Sequence, residues 1–176
     1  MPSIFFSRAY FNHKRELPSW RRFAFVWTPA LLGIGVIAIE STATFSAANT
    51  SSWLRPIVEA LLGHLSDPTW DETHHLLRKS GHFLGYGTLC VLFLRAWLLT
   101  LADNQRLSER AWRLSAWARA ILSTAFIASC DEFHQSFLPS RTGKFTDVLL
   151  DTSGGLVLSS LVLAIARLLR SKSVKE

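Results

Sequence analysis

The sequence predicts an all-α membrane protein with four transmembrane helices and an outer amphipathic helix. Three observations predict it. Of 176 residues, 49% are hydrophobic and only 18% are charged, against roughly 25% charged in soluble domains. Apolar runs lie at about residues 23–45, 82–101, 116–135 and 147–169, and a spanning helix needs about 20 residues. The net charge is +6, and the basic residues flank those runs. That distribution suits an integral protein with basic ends and argues against nucleic acid as a partner. The length fits one domain.

Residues 1–22 form a basic N-terminal stretch with Arg8, Lys14, Arg15, Arg21 and Arg22. The run at 23–45 exceeds the roughly 7–15 residues of a secretory signal core. Ser46-Ala47-Ala48 resembles a cleavage site, but the run reads as an uncleaved first span. Glu40, near its end, is expected to reach headgroups. In the connection at 46–81, Leu54, Ile57, Val58, Leu61, Leu62 and Leu65 recur at helical spacing, which predicts an amphipathic helix. Pro56 fits its first turn. This segment is too short to span and should lie on the interface, with Trp53 and Trp70 as anchors. Asp67-Pro68 reads as a helix start.

The second span carries Gly81, Gly85 and Gly87 at its beginning. Arg95, deep within it, should snorkel to the inner face. A polar connection with Arg106, Arg110 and Arg113 follows. The third span ends in polar turns, and Pro139 and Gly143 mark a loop. Gly154 and Gly155 in the fourth span should admit a close neighbour helix. Residues 170–176 form a short tail. Cys90 and Cys130 offer no disulfide or metal pattern and read as small core residues.

Four spans put both termini on one side. Lys and Arg number five in residues 1–22, three in 102–115 and four in 167–176, but three in 46–81 and two in 136–146. Twelve against five makes the first set cytoplasmic. Every polar cluster then falls on the outer side. Lys79, His82 and Tyr86 share one helical stripe. Asp131 and Gln135 are four residues apart, as are Asp147 and Asp151, and Glu132 lies beside the first pair. Arg141 and Lys144 lie in the outer loop. Ionisable groups at membrane depth cost about 2.5–3.5 kcal/mol each, so this concentration predicts a functional site. Asp131, Glu132, Asp147 and Asp151 outnumber the cations. The excess calls for a protonated carboxylate, a charged histidine or a bound cation. His82 is expected to bond Asp131 or Asp147, and Arg141 to pair with Asp147. His64, His74, His75 and His134 are expected to face the interface or solvent.

These residues carry a resemblance. Lys79, His82, Tyr86 and Leu89 match K-x-x-H-x-x-x-Y-x-x-L, and Asp131, Glu132, Gln135, Phe137, Pro139 and Arg141 match D-E-x-x-Q-x-F-x-P-x-R. Asp147, Asp151 and Gly154 follow D-x-x-x-N-x-x-G, with Asp151 in place of Asn. The chain resembles the VanZ-like family of bacterial membrane proteins over about residues 30–165. The resemblance implies a multi-pass protein of the bacterial inner membrane with an outward-facing site. It also implies a link to resistance to the glycopeptide teicoplanin, with which the founding member is associated.

Lys79, Arg141 and Lys144 suit a phosphate or carboxylate. Asp131, Glu132 and Gln135 suit sugar hydroxyls or amides. The expected partners are membrane lipid and a lipid-linked cell-envelope precursor or a glycopeptide, bound through Lys79, His82, Tyr86, Asp131, Glu132, Gln135, Arg141, Asp147 and Asp151. Catalysis stays open. His82, Asp131 or Glu132 offers a general acid or base, and Asp131, Glu132, Asp147 and Asp151 could hold a divalent cation. No HExxH, GxSxG or Walker signature is present. A purely structural subunit is the third reading.

Overall fold

A computed structural model describes residues 18–139 and 141–173, the side chains of 170–173 excepted. The described residues form α1 (Ser19–Glu40), a 3-10 turn (Ala43–Phe45), α2 (Ala47–Leu62), α3 (Asp67–Leu101), α4 (Glu109–Gln135) and α5 (Phe145–Ser173). There is no strand among them. Three helices, α1, α3 and α5, are long and apolar enough to cross a membrane. Most of the N-terminal stretch and the end of the tail lie outside the described residues.

α3 is the hub. It packs most extensively on α5, then on α4, and α4 closes against α5; α1 leans on α3. Their contact is a core of Leu89, Cys90, Leu94, Leu98, Trp112, Ala116 and Ala120. Small residues on α4 let the helices approach, and Trp112 fills the gap while donating its Nε1–H to the Leu98 carbonyl at 3.1 Å. The outward faces are apolar: Leu32, Leu84, Leu122, Phe126 and Leu161 are all exposed. That inversion suits a lipid surround, where no hydrophobic force drives side chains inward.

α3 starts at Asp67-Pro68, with Ser66 and not Asp67 at the N-cap position, and it runs unbroken for 35 residues. The expected span at 82–101 is its second half. α2 begins at Ala47, capped by the Ser46 hydroxyl, which accepts from the Asn49 N–H at 3.4 Å. Pro56 therefore lies inside the helix, not in its first turn. The Ser46 cap was hidden by its resemblance to a cleavage motif.

Three more expectations are corrected here. Trp70 is no interfacial anchor: it is buried, stacks on His74 with centroids 5.1 Å apart and donates to Ser51 Oγ at 2.8 Å. His74 is buried too, 3.0 Å from Thr50 Oγ1. These pairs dock the polar side of α2 on α3. Trp53, Ile57, Leu61 and Leu62 face outward, as an interfacial helix requires. Cys90 is buried as expected, whereas Cys130 is exposed.

Arg95 places Nη1 on the Phe25 and Val26 carbonyls, at 3.2 and 3.1 Å. Arg22 pairs with Asp103, which ties the start of α1 to the α3–α4 connection. The end of α1, the start of α5 and the polar turns of α4 gather at the opposite end of the bundle.

Candidate functional site

The polar side chains converge from three helices. Asp131, Glu132 and Gln135 are buried on the last turns of α4, and Asp151 on α5 has no exposed surface at 0%. Helical spacing explains the first contact: Gln135 Nε2 donates to Asp131 Oδ2 at 2.9 Å, one turn away. Tyr86, also buried, donates its hydroxyl to the same oxygen at 2.8 Å. Lys79 pairs with Asp147. His82 Nδ1 lies 3.5 Å from Asp151 Oδ1, and its ring stacks beside Tyr86.

The loop between α4 and α5 completes the frame. The Lys144 N–H donates to Glu132 Oε2 at 2.7 Å. This needs Gly143, because a Cβ there would run into the Glu132 carbonyl and crowd Ser136. α5 reaches α3 just as closely. A Cβ on Gly154 would strike the Phe83 carbonyl, and one on Gly87 would meet the Gly154 carbonyl at 3.1 Å.

Arg141 does something else. Its Nη2 donates to the carbonyls of Glu40, Thr42 and Phe45 at 2.6, 3.1 and 2.8 Å. It thus joins the end of α1 to the 3-10 turn and supplies the Glu40 carbonyl, at a helix end where carbonyls lose their intrahelical donors. Arg78 shares the Phe45 carbonyl at 2.8 Å. Burial pushes the Arg141 guanidinium down from its usual range, and Asp131 and Glu132 oppose that shift. The Lys144 side chain is exposed.

Partner choice thus differs from expectation in two places. His82 faces Asp151 instead of Asp131 or Asp147, and Asp147 pairs with Lys79 instead of Arg141. Of the other histidines, His64, His75 and His134 are exposed as expected. His134 Nδ1 lies 3.2 Å from Ser41 Oγ, linking α4 to the end of α1. Arg78 and Gly143 were missed as structural partners; the loop composition marked Gly143 as a turn but not as a contact.

Beside the site, a cleft of about 330 Å³ is lined by Leu76, Lys79, Ser80, Phe83, Leu84 and Leu150. A second cleft of about 600 Å³, lined by Arg110, Arg113, Trp117, Leu163 and Arg167 among others, lies at the opposite end of the bundle.

The family model VanZ/LLP1 matches residues 23–167. The chain belongs to the VanZ/LLP1 family. The match takes in α2, α3 and α4 entire and most of α1 and α5. Membership and the three apolar helices together mark a membrane protein. No curated protein and no solved structure matches the chain.

Proposed function

We propose that this VanZ/LLP1 protein spans the bacterial inner membrane four times and binds a cell-envelope ligand at an outward-facing polar site. α4 is the fourth span in this reading. Its outward face carries Leu122, Phe126 and Phe133 at 69, 67 and 68% exposure, an apolar stripe fit for lipid. The excess of Lys and Arg near the arginine-lined cleft makes that end cytoplasmic.

One observation carries the ligand reading. The apolar cleft of Leu76, Phe83, Leu84 and Leu150 has Lys79 in its wall, and Lys79 borders the buried cluster through Asp147. A lipid-linked precursor has the matching parts: an acyl or prenyl chain for the cleft, a phosphate for the ammonium and a polar head for the Asp131–Gln135 frame. Arg141 contributes by holding the rim, since its Nη2 is committed to three carbonyls. A glycopeptide fits the polar half of the site only. A role in teicoplanin resistance rests on the family and is read by susceptibility of a strain that lacks the protein.

Native mass spectrometry of the gently purified full chain tests the proposal, with Lys79→Ala and Glu132→Gln beside wild type. A lipid adduct on wild type that falls at least tenfold in Lys79→Ala supports it. Well-folded wild type without any adduct overturns it and favours a structural subunit. A second reading, a membrane hydrolase or transferase, draws on His82 facing Asp151 near Glu132. It predicts turnover of phosphate- or glycan-bearing lipid that Glu132→Gln abolishes while the adduct persists.

A further inference from the structure

One ligand atom from each of His82, Glu132 and Asp151 lies within 4.8 Å of the others. The three residues come from three different helices, α3, α4 and α5. Each packs against the other two, so the framework that holds them is the bundle core itself. Bundle metal sites are built this way, from inward side chains on facing helices.

The Asp151 carboxylate is the informative group. Its exposure is 0%, yet neither Oδ1 nor Oδ2 accepts a hydrogen bond among the described residues. A buried carboxylate left unpaired is costly, and buried charges are ordinarily paired or coordinate a metal. Asp147, one turn away, has Lys79, and Asp131 has Tyr86 and Gln135. Asp151 has only the His82 ring at 3.5 Å. The cations that sequence reasoning assigned to the cluster do not serve it: Arg141 is bound to three carbonyls.

We propose that His82, Glu132 and Asp151 bind one divalent first-row transition cation of the Mn²⁺-to-Zn²⁺ series. One imidazole nitrogen and two carboxylate oxygens suit these ions; Mg²⁺ and Ca²⁺ prefer all-oxygen sets. Charge closes as well, two carboxylates against a double positive charge with a neutral imidazole. Ligand atoms around zinc at about 2.0–2.2 Å sit closer together than the present spacing, and modest side-chain rotation closes that gap. The supporting hydrogen bonds exist: the Lys144 N–H orients Glu132 through Oε2, which leaves Oε1 for the ion. Three protein ligands leave a coordination position open, as in catalytic rather than structural zinc sites.

The full chain, purified in detergent and stripped with chelator, is titrated with Zn²⁺, Mn²⁺ and Co²⁺ with no envelope lipid present. Bound metal is counted after desalting, and the visible spectrum of the Co²⁺ form reports nitrogen and oxygen ligation. About one equivalent on wild type is expected, with affinity at least tenfold lower in Asp151→Asn and His82→Gln. Circular dichroism and size exclusion establish that the variants fold. Folded wild type that binds none of the three ions overturns the proposal, as does folded Asp151→Asn that binds as tightly as wild type. If Asp151→Asn does not fold, His82→Gln and the Co²⁺ spectrum decide. Lys79→Ala, which weakens lipid binding under the functional proposal, does not lower metal occupancy, so the two readings fail separately.

Discussion

Tyr86 is the residue that best probes the hydrogen-bonded frame of the site. Its hydroxyl is buried on Asp131 Oδ2, and Tyr86→Phe leaves that carboxylate with Gln135 alone. Losing a buried bond to a charged group should cost about 1.5–3 kcal/mol, read as a lower melting temperature in detergent. Arg141→Ala removes a donor from three carbonyls, of which Thr42 keeps the Phe45 N–H and Phe45 keeps Arg78. It should cost about 2 kcal/mol or more by the same reasoning and raise amide exchange at residues 41–46. If Arg141 were only a ligand contact, stability would not move. At this scale the sequence was informative about which residues matter. Spacing alone paired Asp131 with Gln135, since four residues bring side chains onto one helical face. It offers His82 only Asp131 or Asp147 and misses Asp151, because that choice depends on the rotation of α5 against α3. No periodicity within one helix encodes that rotation. Arg141 was ascribed to a ligand for a related reason: its real partners are backbone carbonyls, which every residue has and no sequence pattern displays.

Among the elements, the α3–α5 seam and α2 make distinct predictions. Gly154→Ala places a methyl group against the Phe83 backbone. It should destabilise by about 1–3 kcal/mol through overpacking, whereas Gly35→Ala on α1, where a Cβ meets nothing within 4 Å, should be neutral or better. Thermal unfolding of the pair separates packing from helix propensity. In the α2–α3 connection, Arg55 and the Leu65 N–H hold the Glu59 carboxyl below its ordinary range. A lowered folded pKa stabilises above the ordinary carboxylate value, about 4.3, and that contribution disappears as pH falls through the lowered one. Hydrogen exchange should accordingly show residues 63–66 protected at pH 7 and released in acid, with Glu59→Gln released at both. Helix starts are legible where Pro marks the first turn, as at Asp67-Pro68. α2 starts at Ala47, seven residues before the expected stripe at Leu54, because its first turns carry Ala, Asn, Thr and Ser, a polar face turned toward α3 instead of an apolar stripe.

For the whole molecule, orientation is the testable quantity. A cytoplasmic reporter fused after Glu176 should be active, one in the 102–108 connection should also be active, and one within 136–144 silent. A silent fusion after Glu176 would reverse the placement of the site. The all-helical class was readable from the apolar runs, and three of them became helices of spanning length and apolarity. α4 falls short on composition because Arg110, Arg113, Asp131 and Glu132 stand near its ends and Arg119 within it, among Ser and Trp. The helix that builds the site is therefore the hardest to recognise as a span. The seam beside the site has a consequence for ligands. At Gly154 the helices touch backbone to backbone, and Gly87 faces the Gly154 carbonyl with the Leu158 side chain packed beside it, which leaves little room to shift or re-pack. The positions of His82, Tyr86 and Asp151 are then set by peptide geometry. Much of their ordering entropy is lost when the chain folds, so the ion or headgroup proposed above would meet a largely preformed site in which only side chains still have to turn.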